Sequence, residues 1–239
     1  MNNWDNHYKS KWRVWLTRLG LKGNLVLNRH IAKHISNECI HTNSYIEIGA
    51  GSGVLAALLK KKFKKIVLLD KSPAALSLAS RIADTAETKI ADIFEFNTNE
   101  KFDAVVSIGL AEHFSIEQMH HLVQIHIDLL APQGKAFICV PSYSPLREQL
   151  IRTPAMIKKY GYQDAKAQYI IEEYLTNKRY AFTTMYLDHI PDHPSLFKWI
   201  KRINILTIKV GMNLEIFFNK KRGDYYMFII EQQKNKLDD

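Results

Sequence analysis

Residues 45–70 read Y-I-E-I-G-A-G-S-G-V-L-A-A-L-L-K-K-K-F-K-K-I-V-L-L-D. A short apolar run carrying an acid is followed by a glycine cluster, a helix-like stretch over residues 53–63, and a second apolar run that ends in Asp70. This order predicts a strand, a helix and a second strand, which together form a β-α-β unit. Glycines in the first turn of such a unit let the backbone approach a nucleotide-like ligand, so this stretch predicts a ligand-binding core.

The alternation of strands and helices continues after residue 70. Ser72 followed by Pro73 predicts a helix start, because a capping hydroxyl and a proline at the first helical position both favour one. Ser115 with Gln118 predicts a capping box for a helix over residues 116–130. The predicted strands cover residues 45–48, 66–69, 89–91, 102–108 and 135–140. The order predicts an α/β fold whose parallel sheet binds ligands at the carboxyl ends of its strands.

The first 44 residues are predicted to be helical. One face of the first helix carries aromatic and apolar residues at three- and four-residue steps: Trp4, Tyr8, Trp12, Trp15 and Leu19. Asn24 is the predicted cap of a second helix, whose apolar face carries Leu25, Leu27, Ile31 and Ile35. This segment is either an edge helix of the core or a flap over the ligand.

The alternation of predicted strands and helices ends after residue 141. Residues 142–194 are rich in tyrosine and show a helical pattern without strand alternation, which predicts a helical cap insert. A helix is predicted over residues 195–209, and residues 214–218 and 225–231 are predicted to pair as an antiparallel hairpin. The chain is therefore predicted to be a single domain with a helical flap (1–44), a ligand-binding core (45–141), a helical cap insert (142–194) and a C-terminal helix and hairpin (195–239).

Composition excludes disordered and fibrous classes. The 239 residues are 46% hydrophobic and 24% charged, which is ordinary for a globular domain. No run reaches the roughly 18 apolar residues of a membrane helix, and the first residues lack the pattern of a signal peptide, so the predicted location is cytoplasmic. Cys39 and Cys139 are predicted to be reduced.

The net charge of +9 favours an anionic partner, such as nucleic acid, acidic lipid or a charged small substrate. The sequence does not choose between these partners. Many of the lysines fall where helices are predicted to end, and there they also suit the helix dipole. The positive charge is therefore explained at least as well by solvated helix ends and loops.

The glycine cluster E-I-G-A-G-S-G at 47–53 departs from a dinucleotide fingerprint, whose third glycine would replace Val54. Its spacing instead resembles motif I of the class I S-adenosylmethionine-dependent methyltransferases. Four further features are in register with that family: Asp70, A-D-I at 91–93, F-D-A-V-V-S-I-G-L-A-E-H-F at 102–114 and L-L-A-P-Q-G-K-A-F-I-C-V-P at 129–141. The segment at 102–114 resembles motif IV of small-molecule and ubiquinone-biosynthesis methyltransferases.

The resemblance implies a Rossmann-like fold with a seven-stranded, mostly parallel sheet and S-adenosyl-L-methionine as the cofactor. It implies these binding roles: Glu47 with the loop residues Gly49, Ala50, Gly51 and Gly53 for the methionine portion, Asp70 for the ribose, Lys71 for the edge of the adenine pocket, Asp92 and Ile93 for the adenine, and the Gly109 backbone for the methionine amino group. Asp70 lies 23 residues beyond Glu47, where a carboxylate can accept both ribose hydroxyls.

Glu112 and His113 follow the fourth predicted strand and are the predicted catalytic residues. A sulfonium methyl group is already an electrophile, so a base is needed only where the acceptor must lose a proton. His113 is predicted to be that base or a group that orients the substrate, and a structural hydrogen-bonding role is an equal alternative. Residues 109–114 lack both the Asp/Asn-Pro-Pro-aromatic run and the cysteine of base-methylating enzymes, which disfavours base flipping.

No metal site is predicted. His30 and His34 lie one helical turn apart without an evident third ligand. The pairs Asp188-His189 and Asp192-His193 flank a proline, where capping and surface polarity explain them.

The predicted function is methyl transfer from S-adenosylmethionine to a small organic acceptor, with the cap insert setting specificity. Two alternatives stay open: an RNA methyltransferase, suggested by the +9 charge, and a catalytically silent subunit that stabilises a partner. The acceptor, the atom that is methylated and the oligomeric state do not follow from the sequence.

Overall fold

A computed structural model of the protein describes residues 25–187 and 225–231. In this part of the chain, seven strands form one sheet in the order β3-β2-β1-β4-β5-β7-β6. The strands are β1 (Ser44–Ile48), β2 (Lys65–Asp70), β3 (Glu87–Ile90), β4 (Phe102–Ile108), β5 (Leu130–Pro141), β6 (Phe182–Leu187) and β7 (Tyr225–Glu231). The helices are α1 (Leu25–Glu38), α2 (Val54–Leu59), α3 (Pro73–Ile82), α4 (Ile116–Asp128), α5 (Pro145–Ile151), α6 (Pro154–Tyr160) and α7 (Ala167–Asn177).

The first five strands are parallel to one another, as the sequence predicts. The two central strands, β1 and β4, are paired from Tyr45 opposite Ala104 to Ile48 opposite Ser107. Their side chains are almost all buried, because helices cover both faces of a parallel sheet. The near-continuous apolar runs at these positions reflect that double burial.

Alternating side chains of the strands contribute to two hydrophobic cores, one on each face of the sheet. Tyr45, Leu68 and Val106 pack on one face, together with apolar residues of α1 and α2. Ile46 and Val105 point to the other face and pack with residues of α4 and α7. Because neighbouring residues of a strand point to opposite faces, each strand supplies both cores.

Helix α1 forms the edge of the first core. Leu27, Ile31 and Ile35 are fully buried, as the predicted apolar face requires. They pack beside α2, which is shorter than predicted and ends at Leu59. Lys60, Lys61, Lys62 and Lys64 therefore belong to the turn before β2, and Lys65 is the first residue of that strand.

The two predicted helix starts are confirmed. The Oγ of Ser72 accepts a hydrogen bond from the Ala75 amide at 3.1 Å. Ser115 and Gln118 form the reciprocal capping box, with the Gln118 amide donating to Ser115 Oγ at 3.3 Å and the Ser115 amide donating to Gln118 Oε1 at 3.2 Å. Ser72 directly follows the carboxyl end of β2, and Ser115 follows that of β4 after the 3-10 turn Ala111–His113, so both helices begin near this edge of the sheet.

The prediction of a wholly helical segment over residues 142–194 is wrong at β6. Helices α5, α6 and α7 lie in this segment, but Phe182–Leu187 forms an edge strand antiparallel to β7. The strand reads F-T-T-M-Y-L, and most of its side chains are partly or fully exposed, so it lacks the apolar alternation that marks a half-buried strand. Strand β7 pairs antiparallel with both β5 and β6, while the predicted partner at 214–218 lies outside the described residues.

Both cysteines are free and buried, in agreement with the sequence prediction. Burial raises the pKa of the Cys39 thiol to about 12. In the described residues, we find no helix with the length and apolarity that a bilayer crossing requires. The predicted helices before residue 25 and over 195–209 lie outside the described part of the chain.

Candidate cofactor and acceptor site

The loop between β1 and α2 turns sharply at its glycines. The amides of Gly49 and Ala50 both donate to the Leu69 carbonyl of β2, at 2.8 and 3.1 Å. Gly49 and Gly53 have φ values of +68° and +69°, which L side chains rarely adopt. A Cβ on Gly53 would also lie 2.9 Å from the Ala79 Cβ of α3, so the loop packs closely on that helix.

Asp70 ends β2 directly beside this loop. Its Oδ2 accepts a hydrogen bond from the Gly51 amide at 2.9 Å, and its Oδ1 accepts one from the Ser72 amide at 2.8 Å. The carboxylate therefore ties the glycine loop to the start of α3. A carboxylate oxygen can accept more than one hydrogen bond.

Glu47 lies on β1 beneath the loop and is 5% exposed. Its Oε2 accepts a hydrogen bond from the hydroxyl of the buried Tyr45 at 3.0 Å. Burial raises the pKa of Glu47 to about 8, although the bonds from Tyr45 and from the Ala56 backbone act in the opposite direction. Tyr45 was not predicted as a site residue, but its position two residues before Glu47 puts both side chains on one face of β1.

Lys71, Asp92 and Ile93 lie after β2 and β3. The Lys71 ammonium is 4.0 Å from the Asp92 Oδ2, and both side chains are well exposed. Asp92 Oδ1 also accepts a hydrogen bond from the Phe94 amide at 3.1 Å. Ile93 is only 7% exposed and packs in the second core, so little of its side chain is open to a ligand.

The chain after β4 turns back toward the glycine loop. Gly109 has a φ of +63° and its amide donates to the Cys139 carbonyl of β5 at 2.9 Å. The side chain of Leu110 covers Gly49, where an added Cβ would lie 3.0 Å from it. The carboxyl ends of β1 and β4 are thereby brought together.

Glu112 lies in the 3-10 turn Ala111–His113 and is 4% exposed. Its Oε1 would be 3.5 Å from a Cβ built on Gly109, so the carboxyl group faces the end of β4. Its Oε2 has no hydrogen-bond partner in the described part of the chain. Burial raises the pKa of Glu112, while the charges of His113 and Arg147 act to lower it.

His113 is held by the loop between α6 and α7. Its Nδ1 lies 2.8 Å from the Tyr162 carbonyl oxygen, which can only accept, so Nδ1 carries a hydrogen, and in the neutral ring the lone pair is then on Nε2. The Asp164 amide donates to the Glu112 carbonyl at 2.6 Å in the same place. Two hydrogen bonds therefore join the loop between α6 and α7 to the turn that carries both predicted catalytic residues.

Residues that follow β5 contact the segment over residues 163–168. The Ser142 Oγ is buried and has no hydrogen-bond partner within residues 25–187 and 225–231. The Tyr143 amide donates to the buried Gln168 of α7 at 2.7 Å, and the Arg147 guanidinium donates to Gln163 at 3.0 Å. These residues were not predicted. For Ser142 a signal existed, because it directly follows the carboxyl end of a strand.

The described residues contain no group of three His, Cys, Asp or Glu side chains that could hold a metal ion. His30 and His34 lie on α1. The pairs at 188–189 and 192–193 are outside the described ranges.

The fold matches that of the class I S-adenosylmethionine-dependent methyltransferases. Residues 5–178 match the family described as a methyltransferase domain, which covers most of the chain. The protein therefore belongs to this family, and its cofactor is S-adenosylmethionine. A search of curated proteins found no match.

Solved structures with the same fold cover nearly the whole chain. A methyltransferase in complex with the Trm112 activator from Haloferax volcanii is 13% identical, with a TM-score of 0.69 and coverage of 98% of this chain and 99% of that chain. The plantazolicin methyltransferase BpumL, in complex with SAH, is 13% identical, with a TM-score of 0.62 and coverage of 97% and 95%. The N-methyltransferase NodS from Bradyrhizobium japonicum is 14% identical, with a TM-score of 0.55 and coverage of 87% and 88%. At these identities the likeness shows the fold alone.

Proposed function

We propose that the protein transfers the methyl group of S-adenosylmethionine to a small organic acceptor that binds beyond the carboxyl ends of β4 and β5. One observation carries the choice of a small acceptor. The loop between α6 and α7 contacts the turn after β4 through two hydrogen bonds, one from the Asp164 amide to the Glu112 carbonyl and one between His113 and the Tyr162 carbonyl. The Glu112 side chain is buried. A covered, partly apolar site of this kind suits a small molecule.

The residues at the carboxyl ends of β1 to β4 fit the cofactor. The proposed binding residues are Glu47, Gly49, Ala50, Gly51 and Gly53 for the methionine portion, Asp70 for the ribose, Lys71, Asp92 and Ile93 for the adenine, and the Gly109 backbone for the amino group. The left-handed glycine conformations leave backbone exposed where a side chain would otherwise stand. Asp70 ends β2 beside the glycine loop, and a carboxylate at this position suits a ribose diol.

When bound, the cofactor supplies a sulfonium methyl group as the electrophile. The protein's part is to hold the acceptor atom in line with that methyl group and to exclude water. Glu112 and His113 border the space past the end of β4, where the acceptor is proposed to bind. His113 Nε2, which carries the lone pair, is the proposed base for an acceptor that must lose a proton.

The arrangement of basic residues favours a small acceptor over RNA. Lys60 pairs with Asp84 at 3.2 Å and Lys65 pairs with Glu100 at 2.6 Å. Lys135 lies between Glu38 and Glu231, at 2.8 and 3.0 Å. These three lysines pair with carboxylates and so add little to an attraction of phosphates, while the net charge of +9 is carried by basic residues at other positions.

A labelling experiment tests the proposal. The full-length protein is incubated with S-adenosylmethionine that carries a tritiated methyl group, together with a small-metabolite extract or with total RNA. We expect label in the small-molecule fraction that depends on the protein. Label that enters RNA, and not the small molecules, would contradict the proposal.

A further inference from the structure

Tyr45 and Glu47 form a hydrogen-bonded pair inside the protein, on strand β1. The Tyr45 side chain is fully buried and Glu47 is 5% exposed. The Tyr45 hydroxyl donates to the Glu47 Oε2 at 3.0 Å. Because the two residues are two positions apart on one strand, their side chains point to the same face of the sheet. A buried carboxyl group therefore has a hydrogen-bond donor directly beside it.

The first core holds the Tyr45 ring in place and keeps its hydroxyl neutral. The ring packs against that of Phe63, with 5.3 Å between the two centroids. Burial raises the pKa of the Tyr45 hydroxyl well above its ordinary value, and the charge of Glu47 raises it further. The thiols of Cys39 and Cys139 also act on Tyr45, and burial raises the pKa of both, so they are neutral as well. The hydroxyl therefore keeps its hydrogen and remains a donor.

The other groups of the described chain that act on Glu47 lie on α2 and β2. Burial raises the pKa of Glu47 to about 8, and the hydrogen bond from Tyr45 is the largest influence in the opposite direction. The Ala56 backbone of α2 also lowers this pKa, while the like charge of Asp70 raises it. Opposite Glu47 in the sheet lie the uncharged Leu68 and Val106. Tyr45 is thus the side chain that most favours the ionised form of Glu47.

We propose that Tyr45 is a positioning residue for cofactor binding, whose hydroxyl holds the Glu47 carboxylate for the ammonium group of the cofactor's methionine portion. This inference rests on the proposed function, which assigns Glu47 to that portion. Glu47 is the fourth residue of β1, and the glycine loop begins directly after this strand. Tyr45 acts through Glu47, because its own side chain is fully buried.

The hydrogen bond changes the cost of a proton transfer. At a pH below its pKa the carboxyl group of Glu47 is protonated, and it must lose that proton to solvent before it can pair with an ammonium group. A hydrogen bond donated to a carboxylate is stronger than one donated to the neutral acid, so the Tyr45 hydroxyl lowers this cost. Without the hydroxyl, the pKa of Glu47 rises further and binding at neutral pH weakens. At a pH above both pKa values the difference disappears.

The test compares the full-length parent protein with Tyr45→Phe, by calorimetric titration of S-adenosylhomocysteine at pH 7 and at pH 9. We expect Tyr45→Phe to bind about tenfold more weakly at pH 7, the effect of one hydrogen bond to an ionised group, and within about twofold of the parent at pH 9. Titration of the ligand's own amino group affects every protein alike. A loss of affinity that is equal at both pH values would mean a packing role alone and would overturn the inference.

Tyr180→Phe is the matched control. It also removes one hydroxyl, but this hydroxyl bonds to the neutral side chain of Gln124 at 2.9 Å. We expect Tyr180→Phe to bind S-adenosylhomocysteine as the parent does at both pH values. A pH-dependent loss in this variant as large as that in Tyr45→Phe would contradict a specific role for Tyr45.

A second ligand separates the ammonium group from the rest of the cofactor. The deamino analogue of S-adenosylhomocysteine keeps the adenosine, the sulfur and the carboxylate, and lacks the amino group. Its binding does not require Glu47 to ionise, so its affinities for the parent and for Tyr45→Phe should agree within about twofold at pH 7. An analogue that loses as much affinity as S-adenosylhomocysteine would overturn the inference.

A spectroscopic readout on the parent protein does not depend on the folding of Tyr45→Phe. Protein whose tyrosines carry ¹³C at Cζ is saturated with each ligand at pH 7. Because ionisation of Glu47 strengthens the hydrogen bond from Tyr45, we expect one tyrosine signal to shift with S-adenosylhomocysteine and not with the deamino analogue. The shift should be lost in Glu47→Gln and kept in Glu173→Gln, a matched change at an exposed position on α7. A parent protein without such a shift would contradict the inference.

The outcomes distinguish this inference from the proposed function. A parent protein that binds no S-adenosylhomocysteine contradicts the proposed function itself. A parent protein that binds it, together with a Tyr45→Phe variant whose affinity shows the same pH dependence, overturns the inference alone.

Discussion

At the scale of single residues, Glu47 is the proposed cofactor-binding residue whose pKa burial changes most. It is buried on β1, bonded to the Tyr45 hydroxyl, and its pKa is raised to about 8 by burial. In the absence of a cation it is therefore mostly protonated at pH 7. A cofactor ammonium group held nearby would favour the ionised form and lower this pKa.

The expected consequence is proton release on cofactor binding. At pH 7 the parent protein should release about one proton from Glu47 for each S-adenosylhomocysteine bound, since the pKa falls from above to below the solution pH. Binding should accordingly tighten as the pH rises from 6 toward 8. Calorimetry in two buffers of different ionisation enthalpy measures the number of protons.

The variant Glu47→Gln isolates this residue from titration of the cofactor itself. Its proton release should be lower than that of the parent by about one proton, while Glu173→Gln should match the parent. Equal proton release in the parent and in Glu47→Gln would show that Glu47 does not titrate with binding.

At the scale of elements, the turn from β1 through the glycine loop to α2 and α3 is the most constrained part of the site. Gly53 combines a left-handed φ with close packing, because a Cβ would lie 2.9 Å from the Ala79 Cβ and 3.1 Å from its Cα. Gly109 has a similar φ, yet its nearest neighbour, Glu112 Oε1, would lie 3.5 Å away. Comparing an alanine substitution at Gly53 with one at Gly109 therefore separates the cost of backbone strain from the cost of steric overlap.

We expect Gly53→Ala to lower the free energy of unfolding more than Gly109→Ala does. Both changes force an L side chain into a left-handed conformation, at about 1–2 kcal/mol. Gly53→Ala adds overpacking against α3, which costs about 1–3 kcal/mol more. Urea denaturation of the parent and the two variants measures the difference. An equal loss of unfolding free energy in the two variants would contradict this prediction, because it would mean that α3 shifts away from the added methyl group at no energetic cost.

The elements also show what the sequence can and cannot predict. The β-α-β unit, strand β4 and the Ser115 capping box were predicted because apolar runs, glycines and caps are local signals. Strand β6 was not predicted because it is an exposed edge strand without apolar alternation, and its extended conformation depends on pairing with β7. The Asp164–Glu112 contact joins residues far apart in the chain, and no local pattern encodes it.

At the scale of the whole molecule, the sheet brings together groups that the sequence spreads over 95 residues, from Glu47 to Ser142. Residues at the ends of β1, β2 and β4 were predicted from the family resemblance, and the structure puts them at one edge of the sheet. The hydrogen bonds of the Tyr143 amide to Gln168 and of Arg147 to Gln163 were not predicted, since they depend on how the helices after β5 pack. The position of the proposed cofactor residues in the sheet is thus more predictable than the packing of the residues after β5.

Asp70 tests the central claim most directly, because it is proposed to hold the ribose while it ties the glycine loop to α3. The measurement is calorimetric titration of S-adenosylhomocysteine into the parent protein, Asp70→Ala and the control Asp84→Ala, whose exposed carboxylate pairs with Lys60. Loss of hydrogen bonds to a charged group predicts about tenfold to hundredfold weaker binding for Asp70→Ala. Asp84→Ala should bind as the parent does. An Asp70→Ala variant that binds as tightly as the parent would contradict the account.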